Sequence, residues 1–163
     1  AAFMISAFPF TVVITSIAVG KYSKLISSRE LSALGMAIVA ISLLLMSRLT
    51  MSSSVLFIEV SLVIMGIGLS LFAAPNTNAN LSSVSSDDRS LANGMLGTMR
   101  HLGQALSLAI GASTVGLFLS EDIYNVGGSI SVTQYIGGLS QAFFIGFIIA
   151  VLGIFIALIR GNK

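Results

Sequence analysis

The sequence predicts an all-α membrane protein whose 163 residues form a single transmembrane helical bundle. Three observations predict it. The chain is 55% hydrophobic and only 9% charged, with a mean hydropathy of +1.01, whereas a soluble domain carries about 25% charged residues. Five separate stretches are apolar over the roughly 20 residues a helix needs to cross a bilayer core of about 30 Å. The basic residues gather on alternate connections, as positive-inside topology requires.

The first predicted helix, residues 3–20, has no basic leading region and no small-residue cleavage site, so it reads as a span and not as a signal peptide. Pro9 is the expected kink, tolerated where neighbouring helices cover the freed carbonyl. The second helix is placed at 31–49 and the third at 55–74. The fourth, 86–119, exceeds the membrane thickness at 1.5 Å per residue, so its first turns are expected to project into water. Ser85 and Ser86 are its expected N-caps, with Asp87 and Asp88 beside the positive end of the helix dipole. The fifth helix is placed at 139–159, after an outer loop, 120–138, in which Ser129 to Tyr135 alternates enough for a short extended piece.

Orientation follows from charge. Lys21, Lys24, Arg29, Arg89, Arg100, Arg160 and Lys163 fall on one side of this topology and Arg48 alone on the other. That predicts a cytoplasmic C-terminus, residue 1 outside, and residence as a multi-pass protein in a cell (plasma or inner) membrane. A start on the outer face, at Ala1 and without Met, leads to the expectation that a preceding helix belongs to the same protein.

Helices associate in lipid through small and polar residues, and each predicted span carries such a stripe. On helix four it runs through Asn93, Gly97, Arg100, Gln104, Ser107, Gly111 and Thr114. On helix three it includes Glu59, Gly66, Ser70 and Thr77. On helix two it is Ala33, Ala37, Ala40 and Ser47. The alternative is that membrane helices are rich in Gly and Ala wherever they face.

Candidate functional residues are the polar groups at membrane depth. Glu59 is the one carboxylate inside a predicted span; it reads either as a proton or cation carrier or as a structural carboxylate near the outer interface. Arg100, sharing a stripe with Gln104, has three open readings: holding an anionic group, pairing with a carboxylate elsewhere, or reaching the inner interface. His101 reads best as a structural imidazole. Asn76, with Asn78 and Asn80, reads either as a polar helix exit or as a hydrogen-bonding cytoplasmic mouth. With no cysteine and one histidine, no metal site is expected. The sequence carries no phosphate-binding loop and no nucleophile elbow, so neither an enzyme nor a cofactor is predicted. The net charge of +2 is accounted for by membrane orientation and gives no support for nucleic-acid binding.

Two stretches resemble a known family. Gly20-Lys-Tyr-Ser-Lys-Leu-Ile-Ser-Ser-Arg29 is similar to the G-x-x-x-D-R-x-G-R-R/K loop of major facilitator superfamily transporters, with Lys24 in place of the Asp and Ser27 in place of the second Gly. Gly66 to Asn78, Ser85 to Gly94 and Thr98 to Leu106 resemble the C-terminal half of drug:proton antiporters of the fourteen-helix subgroup. The resemblance implies that the five helices are most of one six-helix half whose first helix is missing. It implies proton-coupled multidrug or small-molecule efflux by alternating access, with the missing N-terminal half, the lipid bilayer, a small-molecule substrate and protons as partners. A transporter of a sugar or metabolite, or a non-transporting bundle, is the alternative. On this reading Glu59, Arg100, Gln104 and Asn76 are candidates for the substrate or proton path. Gly20, Arg29, Gly66, Arg89, Gly94, Gly103 and Gly111 are candidates for helix packing and gating.

Overall fold

A computed structural model describes residues 2–22, 27–123 and 132–159. Within them the chain forms five α-helices: α1 (Ala2–Tyr22), α2 (Ser28–Met46), α3 (Val55–Ser82), α4 (Arg89–Ile123) and α5 (Val132–Ile159). Four contain stretches long and apolar enough to cross a membrane: Ser28–Met46, Val55–Ser82, Arg89–Leu119 and Val132–Ile159. In α1, a 21-residue helix, the described apolar stretch is Phe8–Lys21. This is a multi-pass helical membrane protein.

The helix starts follow capping chemistry. Ser27 accepts from the Glu30 amide at 3.2 Å and Ser54 from the Phe57 amide at 3.2 Å, each satisfying an orphan N–H of the first turn. At α4 the expected cap shifts. Ser85 donates to the Asp88 carboxylate at 2.7 Å, and the Asp88 carbonyl accepts the Ala92 amide at 2.9 Å, so the helix begins at Arg89 and not near Ser86.

Further boundaries differ from expectation, among them those of α2, which spans Ser28–Met46 against the expected 31–49. α3 runs unbroken past Pro75 to Ser82, so Asn76, Asn78 and Asn80 are helical. Pro75 is fully buried, and packing of this kind lets a membrane helix carry a proline. α5 begins at Val132, so the end of the expected outer loop, including Val132 to Tyr135 of the expected extended piece, is helix; the rest of that piece lies outside the described residues. α4 continues to Ile123.

α2 is the centre of the bundle. It packs on α3 along one side and α5 along another; α1 leans on α3 and α4 on α5, with slight contact between α3 and α4. The α2–α3 crossing is the closest. A Cβ added to Gly35 would lie 2.5 Å from the Phe72 amide nitrogen and 2.7 Å from the Gly68 carbonyl oxygen. One added to Gly68 would lie 2.7 Å from the Val39 nitrogen. Only a residue without a side chain fits at such a backbone-to-backbone approach. Two turns further along, buried Ser42 donates to the Ser61 carbonyl at 2.6 Å.

The other side of α2 carries Met36, Leu43 and Ser47. Met36 covers Gly153 and Leu43 covers Gly146 of α5, while the Ser47 carbonyl accepts the Ser140 hydroxyl. Of the expected Ala33–Ala37–Ala40–Ser47 stripe, Ala33 and Ala40 are buried and Ser47 meets α5, but α2 has a second protein-facing side at Gly35 and Ser42, since a helix with neighbours on two sides has no single interior stripe. On α1, Thr11 and the Phe8 carbonyl close over Gly66, where an added Cβ would lie 3.1–3.2 Å from them, and Ser70 donates to the Val12 carbonyl at 3.1 Å and the Gly66 carbonyl at 2.9 Å.

Candidate functional site: the open side of α4

α4 touches the bundle near its outer end. There Gly138 of α5 lies so close that an added Cβ would sit 2.9 Å from the Val115 Cα and 3.4 Å from the Phe118 Cβ. From Thr98 to Ile110, by contrast, every residue of α4 is exposed. The side of the helix turned towards the bundle can be followed inward from Val115 and Phe118 at 100° per residue. Arg100 lies eighteen residues, five whole turns, before Phe118 and points the same way. Gln104 lies about three turns before Val115 and points with it. Arg100 and Gln104 therefore face the bundle across a space that α5 fills beside Val115 and leaves open deeper in.

The depth of Arg100 follows from the same contacts. Gly138 is level with Val115, and Gly153, fifteen residues along α5, is level with Met36 near the middle of the 19-residue α2. Fifteen residues back along antiparallel α4 from Val115 is Arg100. The guanidinium thus springs from the middle third of the span.

Around it the side chains turn to their own helix. His101 Nδ1 and Gln104 Oε1 lie 3.1 Å apart. Thr98 donates to the Gly94 carbonyl at 3.1 Å, Ser107 to the Gln104 carbonyl at 2.9 Å and Thr114 to the Ile110 carbonyl at 2.7 Å. These local bonds satisfy hydroxyls that have no neighbour to reach.

The remaining candidates are dispersed. Glu59 is half-buried one turn into α3. Asn76 is half-buried just past Pro75, about 25 Å further along the same helix. The structure does not bring Glu59, Asn76 and Arg100 into one cluster. Arg29 is half-buried at the start of α2 and Arg89 exposed at the start of α4, at the same end of the bundle; exposed Arg48 lies past the far end of α2.

Among the packing candidates, Gly66 is buried against α1. Gly20, Gly94, Gly103 and Gly111 have nothing within 4 Å of an added Cβ, so no described helix of this chain uses their small size. The glycines that decide close approaches are Gly35, Gly68 and Gly138. Gly35 and Gly68 are spaced two turns from the buried serines Ser42 and Ser61, and that small-residue recurrence at seven is the signal that marks them. Among the described residues no group of three or more His, Asp or Glu side chains could hold a metal ion.

The geometry defines a class: a polytopic helical membrane protein with a polar, uncovered side at mid-depth. Comparison with known proteins takes the identification no further, as no family model, curated protein or solved structure matches the chain.

Proposed function

We propose that the chain is the C-terminal part of a major facilitator secondary transporter that exports small molecules in exchange for protons by alternating access. The observation that carries the reading is the bundle-facing side of α4, polar at mid-depth and covered by none of the described helices. A guanidinium and a carboxamide facing lipid there are costly. Against a second set of helices they are not, and transporters of this kind place their solute path between two such sets. The resemblance of Gly66–Asn78, Ser85–Gly94 and Thr98–Leu106 to drug:proton antiporters supports efflux over uptake.

In this reading the Arg29–Arg89 end is cytoplasmic, because most of the basic residues gather there. Residence in the plasma or inner membrane is part of the same proposal. Glu59 is the proton-path carboxylate of this reading, because it is half-buried within an apolar span and ionisable groups at such positions mark ion pathways. Asn76, past Pro75 at the inner end of α3, borders the cytoplasmic mouth.

The test is transport by the full-length gene product in proteoliposomes under an imposed proton gradient, with cationic dyes, neutral sugars and small metabolites offered in parallel. Gradient-driven movement of the dyes, weakened by Glu59→Gln at unchanged protein level, is expected. Movement of sugars or metabolites alone would select a different substrate class within the superfamily. No movement of any solute would leave a non-transporting bundle.

A further inference from the structure

The geometry points to the occupant of the space beside α4: a membrane-spanning helix from outside these 163 residues, carrying an Asp or Glu at mid-depth that pairs with Arg100. The inference rests on the reading of the chain as part of a larger helical assembly, and names the contact that joins the parts.

The argument is one of unmatched charge at known depth. Arg100 is exposed and springs from the level of Met36. The chain has six carboxylates, and their positions along the helices place all of them elsewhere in depth. Glu30 is six residues before Met36 on α2, about 9 Å towards the inner end. Glu59 is two residues outward of Ser61, whose carbonyl takes the Ser42 hydroxyl; that puts it about 12 Å towards the outer end. Asp87 and Asp88 precede α4, and Glu121 and Asp122 occupy its last turn. Asp88, the nearest of these four in sequence, is about 18 Å from Arg100 along the helix.

An arginine at mid-membrane is stabilised by pairing or by water, and the shape of the surface favours pairing. The side of α4 turned to the bundle carries Leu108, 74% exposed, between Gln104 and Val115. A large apolar side chain on the same side, about 12 Å outward of Arg100 along the helix, suits a packed helix better than an aqueous wall. The face is also continuous with an established contact, since the α4 side that seats Gly138 of α5 is the side that stays open at Gln104 and Arg100. A helix lying along α5 in that space would extend the same packing inward. The planar guanidinium, with its paired N–H donors, suits a carboxylate at such a contact.

The experiment uses the full-length protein in native-lipid vesicles. The chain has no cysteine of its own, so a nitroxide can be attached at one introduced cysteine once any outside this region are removed. Labels at Gln104 and Ser107 are expected to collide rarely with both oxygen and a water-soluble nickel chelate, as in a protein contact. Labels at Met99 and Leu106, on the opposite side of α4, are expected to collide at least fivefold more often with oxygen. In the second arm, Arg100→Glu is expected to lower membrane abundance at least tenfold. A Lys or Arg replacing one acidic residue in a membrane helix outside these 163 residues is expected to restore it to within twofold. Frequent nickel collisions at Gln104 and Ser107 would show a water-filled wall and overturn the inference. Frequent oxygen collisions there would show lipid and do the same. So would normal abundance of Arg100→Glu, or a failure of every acidic-to-basic replacement to restore it. None of these outcomes depends on transport, so the inference and the exporter reading fail separately.

Discussion

Replacing Gly35 with Ala tests the packing that organises the bundle. The new methyl carbon would start 2.5 Å from the Phe72 nitrogen, 2.7 Å from the Gly68 oxygen and 2.8 Å from the Leu71 carbonyl carbon. All three are backbone atoms, which cannot rotate away, so α2 and α3 must separate by about 1 Å to reach ordinary contact near 3.5 Å. A gap of that size forfeits a quarter to a half of each dispersion contact along the crossing. It also stretches the 2.6 Å bond from Ser42 to the Ser61 carbonyl two turns away past good geometry. Overpacking costs about 1–3 kcal/mol and a weakened interhelical hydrogen bond about 0.6 kcal/mol. The expected destabilisation is therefore about 2–4 kcal/mol, measured by reversible denaturation of the purified full-length protein in mixed micelles. Gly103→Ala is the control. Its added carbon meets nothing within 4 Å, and Ala is the better helix former by about 0.5–1 kcal/mol, so stability should hold or rise slightly. If Gly35→Ala stayed within about 0.5 kcal/mol of the parent protein, or if the two substitutions cost the same, the α2–α3 crossing would not be the close contact described.

Other expectations follow from the same geometry. Gly138→Leu drives a side chain into Val115 of α4, 2.9 Å from the first added carbon, and should cost about 1–3 kcal/mol in the same denaturation assay. Ser42→Ala removes the donor to the Ser61 carbonyl and should cost about 1 kcal/mol in the same denaturation assay. Ser70→Ala breaks the bond to Val12 on α1, and protease sensitivity of α1 should rise while the α2–α3 pair stays protected. Single cysteines at Ser52 and Ser85 should react with an impermeant thiol reagent from opposite sides of the membrane; labelling of both from one side would undo the alternation of spans.

Five helices were legible from the sequence because each apolar stretch is as long as the bilayer is thick, and that requirement leaves few alternatives. Their ends were less legible. Pro75 and three asparagines look like a helix exit, yet burial against neighbours carries α3 seven residues past the proline. The faces were legible in proportion to how many partners a helix has. Gly66 was found because α3 meets α1 along a stripe of small residues. Gly35 and Ser42 were missed because α2 packs on two sides and its polar and small positions divide between them. The stripe on α4 shows the other limit. Periodicity shows that Arg100, Gln104 and Ser107 share a side, but whether that side is filled depends on what stands beside it, and periodicity carries no record of the neighbour.

The placement of α2 between α3 and α5 also fixes an order of assembly. α2 leaves the ribosome well before the α5 residues that close its second side, Ser140, Gly146 and Gly153, which lie about a hundred positions downstream. Until they are synthesised, half of its surface waits without a lasting contact. α4 waits under harder terms: it is the least apolar of the four long spans, and its seat at Gly138 is made after it. Translation thus delivers the most polar rod before the one that holds it, so retention of α4 at the insertion machinery, more than the final packing, is where this bundle is most exposed to failure during biogenesis.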